Sequence, residues 1–167
     1  SVYTSKVKLV HDATDKNFTL DDRMKQFKTA TDLYKLHEQL AMVVDTINAR
    51  QKLIKETIGK VQDSSLARTM RTYNDELEKL RSELLATKQK SVFADEKKLR
   101  EEITEAYSSV TGQEAAPSNL AIQRAAVLQQ EVKKKEEANK QIMNKFDKTV
   151  NEGLRKEGLL PGQKKGF

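Results

Sequence analysis

Two histidines, His11 and His37, are the only imidazoles in a chain without cysteine, and they bound the metal chemistry at once. A di-iron helical bundle needs a Glu-x-x-His on each of two helices together with further inward carboxylates. Neither histidine has Glu three residues before it. The stretch "HEQLA" (residues 37–41) opens like a zincin motif but puts Ala41 where the second ligand histidine would stand. His37 therefore reads as a partly buried helix residue. "SKVK" sets Ser5 and Lys8 at a Ser-x-x-Lys spacing, chemistry that needs the serine at a helix start so that the lysine one turn on can reach it. In an alternating strand those two side chains point to opposite faces, so the match reads as chance. Asn17, Phe18 and Thr19 form a glycosylation acceptor in name, yet the threonine is better used as a helix cap.

The absence of cysteine excludes disulfides, cysteine-ligated zinc and thiol catalysis, and is compatible with a reducing or an oxidising compartment. No glycine-rich phosphate loop and no G-x-S-x-G is present. The many glutamates fall on polar helix faces where general acid or base work has no pocket. No catalytic, cofactor-binding or metal-binding residue is expected. Net charge is +6, and 11 basic against 6 acidic residues in 117–167 place nearly all of the excess in the last helix and tail. Lys133, Lys134 and Lys135 are followed at once by Glu136 and Glu137, which is the pattern of a solvated helix face, so no nucleic-acid partner is expected. No apolar run of about 18 residues occurs, so no membrane insertion is expected, and the start lacks the basic-then-apolar pattern of an export signal.

These side chains must be carried by helices. With 34% charged residues, 5% aromatics and two prolines in 167 residues, the composition favours one all-α domain with a thin apolar seam. Leu20, Met24, Phe27, Leu33, Leu40, Val44, Ile47, Ile54, Ile58 and Val61 recur at helical spacing and predict one long amphipathic helix. Thr19 is its expected N-cap, with Asp21 and Asp22 in the first turn, and Gly59 weakens its far end. Asp63, Ser64 and Ser65 offer a second cap, and Leu66, Met70, Tyr73, Leu77, Leu80 and Leu84 form a heptad seam without a slip. The pattern lapses in "TKQKSVFAD", after which Asp95 is the expected cap of a shorter helix with Leu99, Ile103, Ala106, Tyr107 and Val110 inward. "TGQEAAPSN" is the clearest break, with Gly112 as terminator and Pro117 before a Ser118 cap. The last helix puts Ala121, Ala125, Leu128, Val132, Ile142, Phe146, Thr149 and Gly153 on one phase, interrupted by Lys135 and Asn139. Gly153, Gly158, Pro161, Gly162 and Gly166 are expected to end it and leave a flexible basic tail over 158–167.

Lengths bear on topology. At 1.5 Å per residue, the first and last helices each span roughly 60 Å, and the two middle pieces placed end to end reach about the same length. The expected fold is an elongated antiparallel three-helix bundle with a second helix broken near 89–94, occupying residues 19–157. A four-helix bundle with the short helix folded back is the competing arrangement.

The opening segment does not fit that pattern. Val7 and Leu9 alternate with Lys6 and Lys8, the signature of a strand with one apolar face. A lone strand is unstable in water, so it either packs along the bundle or closes a sheet lying upstream. The start at "SVYTSKVKL", without an initiator Met, favours the second, with residues 1–18 as strand and turn joining an upstream β domain. "KVKLVHD", then "FTLDDRMKQFKTATDLYKLHEQLAMVVDTIN", then "KLREEITEAYSSVTGQEAAPSNLAIQRAAVLQQEV" together resemble the C-terminal helical region of bacterial BNR-repeat or sortilin-like β-propeller proteins, often labelled glycosyl hydrolases. The turn "HDATDKN" departs from the Asp-Pro-Arg common there. The resemblance implies a periplasmic or secreted parent whose hydrolase or ligand site is in the propeller, with no catalytic residue carried onto this segment. The resulting expectation is a non-catalytic accessory or interaction domain that contacts an upstream β-propeller, with exposed faces open to a protein partner. A free-standing coiled-coil scaffold is the alternative, and the oligomeric state is left open.

Overall fold

The computed structural model describes residues 17–85 and 98–160. Among them the chain is all-helical: α1 (Leu20–Thr57), a single 3-10 turn (Ile58–Lys60), α2 (Ser64–Leu84), α3 (Leu99–Thr111) and α4 (Asn119–Lys156). The strand expected over residues 6–10, the Asp95 cap, the pattern lapse near 89–94 and the tail beyond Leu160 lie outside the described residues.

Local sequence sets each boundary. Thr19 Oγ1 accepts the Asp22 N–H at 3.2 Å and the Asp22 carboxylate accepts the Thr19 N–H at 3.0 Å, a reciprocal box that satisfies two backbone donors left over at the helix start. The Thr19 hydroxyl, which donates to the Asp22 carboxylate at 2.7 Å, and then the Thr19 N–H hold the Asp22 carboxyl below its ordinary pKa. Phe18, just before the cap, is buried and lies 4.8 Å from the Arg23 guanidinium, where a hydrophobic staple would otherwise sit. At the other end, the N–H groups of Gln62 and Asp63 donate to the two carboxylate oxygens of Glu157, each at 2.9 Å, tying the α1–α2 turn to the end of α4. Asp63 Oδ1 caps α2 by accepting from Ser65 at 2.8 Å and Leu66 at 3.3 Å. The described third helix starts at Leu99 with Lys98 in the cap position, where the Glu101 carboxylate accepts the Lys98 N–H at 3.1 Å. Ser118 Oγ caps α4 through the Ala121 N–H. That helix ends in a Schellman motif: Gly158 takes a positive φ of 68°, Leu159 N–H reaches Leu154 O, and Gly158 N–H reaches Arg155 O.

α2 and α3 each pack antiparallel to α1 and to α4. Arg81 donates to Asn48 and Gln51 to Glu78, pairing α1 with α2. Lys145 pairs with Glu76, and Lys135 with Glu83, along α2 and α4. Gln26 Nε2 donates to the Val110 and Gln113 carbonyls, pairing α1 with α3, and Arg124 pairs with Glu102 between α4 and α3. Because α1 and α4 are both antiparallel to α2, they run in the same direction, and Arg50 pairs with Asp147 between them. Both α2 and α3 lie against α1 and α4 and touch each other only marginally. One core runs through all four helices, from Leu33, Leu40 and Ile47 through Met70, Leu77 and Leu84 to Ile103, Leu128, Val150 and Leu154. All six positions of the α2 seam are buried.

Two expectations are corrected. Leu20, Met24 and Phe27 are read with Leu33 and Leu40 as one amphipathic pattern, but they are exposed where Leu33 and Leu40 are buried. The reason is phase: the six-residue step from Phe27 to Leu33 turns a helix by about 240°, so the two groups cannot share a face. On α4, Thr149 is exposed while Val150 and Leu154 are buried. A straight helix drifts about 20° per heptad relative to a strict seven-residue repeat, which moves the buried position on by one residue. Gly153 therefore does not end α4. It makes room instead, because a Cβ there would stand 2.7 Å from both Leu66 δ-carbons.

Candidate docking surface

The first four turns of α1 are apolar on two opposite sides. Thr29, Leu33, Leu36 and Leu40 enter the core. On the other side Leu20, Met24, Phe27 and Tyr34 follow heptad steps at 51, 62, 73 and 55% exposure. At about 100° per residue the two sets are centred roughly half a turn apart. This outer stripe lines one side of an open groove of about 900 Å³ whose other walls include Phe18, Ala30, Tyr107 and Thr111. The charges at its rim are matched along the helix, Lys25 with Asp21 at 3.4 Å and Lys28 with Asp32 at 3.0 Å. Such exposed pairs add little stability, but they leave an apolar surface without a strong local charge. Large apolar side chains gathered in this way mark a contact surface more often than singly scattered ones do.

The residues singled out for chemistry are dispersed. His37 faces Thr104 on α3, with ring Nε2 and hydroxyl 3.4 Å apart. Burial, then the nearby Arg100 guanidinium, hold its pKa below the usual imidazole value. It shares a small cleft with Ala41, Glu38 and Asp45, and among the described residues no three metal-ligating side chains come together. Lys134 pairs with Glu131 within its own helix, whereas Lys135 bridges to Glu83 on α2, so the lysine run is divided between solvent and packing. Asn139 is buried in the α4 seam, as its phase implies, and its Oδ1 has no hydrogen-bond partner among the described residues. Ser5, Lys8 and His11 lie outside the described residues. No helix among the described residues is long and apolar enough to cross a membrane.

One polar cluster escaped the sequence reading. Tyr73 Oη donates to Asp147 Oδ1 at 2.7 Å, Arg50 reaches Asp147 Oδ2 at 2.9 Å, and the Tyr73 ring stacks on Phe146 with centroids 4.9 Å apart. The cluster ties three helices at one level of the core. Burial first, and the Asp147 carboxylate second, push the Tyr73 hydroxyl well above the usual phenol pKa. The sequence held one signal of it, since a tyrosine in an otherwise aliphatic seam needs a partner for its hydroxyl. No family model, curated protein or solved structure matches the chain.

Proposed function

We propose that this chain is a non-catalytic accessory helical domain that docks against an upstream β domain of a larger periplasmic or secreted β-propeller protein. The observation that supports it most is the outer apolar stripe of α1, which begins at the first helical residue after the junction. A face of that kind next to the chain's entry point suits a neighbour delivered by the same polypeptide. It costs free energy while it faces water, at about 25 cal/mol for each Å² of apolar surface. The resemblance noted in the sequence supplies the identity of that neighbour.

Within the reading, the four helices act as an elongated antiparallel three-helix bundle, with α2 and α3 laid end to end as a broken second helix. Supporting this are the lengths, about 57 Å each for α1 and α4 against about 32 and 20 Å for α2 and α3. The marginal contact between α2 and α3 supports it too. A rigid rod of this length is suited to buttressing or to spacing.

The test begins with the coding frame upstream of Ser1. A β domain encoded there should raise the unfolding temperature of the helical part when the two are joined. A start codon directly before Ser1, or two parts that unfold as they do alone, would overturn the reading. The isolated chain should show no turnover of glycosides above background.

A further inference from the structure

We propose that His37 is an acid-sensitive latch between α1 and α3: on taking up a proton it loosens α3 from the bundle while α1, α2 and α4 stay packed. The ring is partly buried on the flank of α1 that faces α3, with Nε2 3.4 Å from the Thr104 hydroxyl. That hydroxyl donates to the Arg100 carbonyl at 2.9 Å, so toward the imidazole it can only accept, and Nε2 holds the hydrogen of the neutral ring. A second proton would go on Nδ1 and make the ring a cation in a confined cleft.

What lines that cleft decides the sign. Tyr34, Glu38 and Asp45 contribute from α1, Arg100 from α3, and Leu85 from the end of α2. Arg100 repels a charged imidazole, and burial removes the water that would solvate one. Glu38 and Asp45 pull the other way, but burial first and Arg100 second hold the ring's pKa below its usual value. The unfolded chain takes up the proton near pH 6.5, and the packed ring does so only at lower pH. The latch is therefore fully closed above about pH 6.5, and its contribution is lost as the pH falls from there through the lower value of the folded state.

α3 is the element that such a push can move. Its 13 residues are marginal as a helix on their own in water. It buries Leu99, Ile103 and Val110, against seven residues on α2, and touches α2 only marginally. The other three helices are joined without it, through Tyr73, Arg50 and Asp147. Segments with few buried contacts are the first to open. Tyr107 and Thr111 also wall the α1 groove, so the same opening reshapes that face, although the latch does not depend on what the groove binds.

In the full 167-residue chain, amide hydrogen exchange read by mass spectrometry separates peptides of α3 (99–111) from those of α2 (64–84). With rates corrected for the intrinsic pH dependence of exchange, α3 should lose protection several-fold between about pH 7.5 and about pH 5 while α2 keeps its own. His37→Gln, which retains an N–H to offer Thr104 but takes no charge, should leave α3 equally protected at both. If that variant lacks the parent's helicity by circular dichroism, Arg100→Gln removes the repelling cation instead and should shrink the response. Protection of α3 that does not change with pH would overturn the proposal. An equal loss in α2, or a response undiminished in the variant used, would overturn it as well.

Discussion

Single residues decide where polar groups enter the core. Asp147 accepts from both Tyr73 and Arg50, so a carboxylate at that level is held by two donors from two other helices. The raised pKa of Tyr73 has a definite sign for stability. Below about pH 10 the phenol is protonated folded and unfolded, and its contribution is constant. As the pH rises above that value the unfolded chain releases the proton while the folded one holds it, and stability falls. Thermal unfolding should therefore lose up to about 1.4 kcal/mol per pH unit to this group above pH 10. Tyr73→Phe should remove that part of the slope, at a cost near neutrality of about 1–2 kcal/mol for the lost bond. An unchanged alkaline slope in the variant would show that Tyr73 does not retain its proton. The chain signals only that the Tyr73 hydroxyl needs a partner; which groups supply it is not legible, because Arg50, Tyr73 and Asp147 meet only through tertiary packing.

Elements differ in how openly the sequence displays them. The α2 seam is fully legible, since its alternating steps of four and three keep one phase and every member is buried. Leu77→Asp places a charge at its centre, where no compensating group stands. We expect a loss of more than about 4 kcal/mol, enough to abolish cooperative folding. The same change at exposed Leu120 on α4 should fall within about 0.5 kcal/mol of the parent. Chemical denaturation of the two variants measures both, and equal effects would remove Leu77 from the core. α1 is legible as a helix but not as a surface. Apolar spacing shows that Leu20, Met24 and Phe27 lie on one face without showing which face meets the core, and only the step to Leu33 carries the sign that there are two. On α4 the slow drift of a straight helix against the heptad does the same at Thr149 and Val150. Caps were the most readable features, because Thr19, Asp63 and Ser118 act on backbone groups within three residues of themselves.

At the scale of the whole molecule, three long-range facts make one object: α1 and α4 run in the same direction, α2 and α3 pack against both, and α1 has an outer apolar face beside the chain's entry. The all-helical character follows from composition and periodicity. The role of the outer face does not, because a surface is defined by what covers it. The central claim is that this face is an interface, and the methionines supply a built-in measurement. Met24 and Met42 lie on the same helix at 62 and 67% exposure, and Met70 is fully buried. Oxidation by peroxide follows access to the sulfur. When this chain is joined to its upstream β domain, peptide mass spectrometry should find Met24 oxidised much more slowly than Met42 and close to the rate of Met70. Oxidation of Met24 as fast as Met42 would mean that the groove faces water, and would contradict the account.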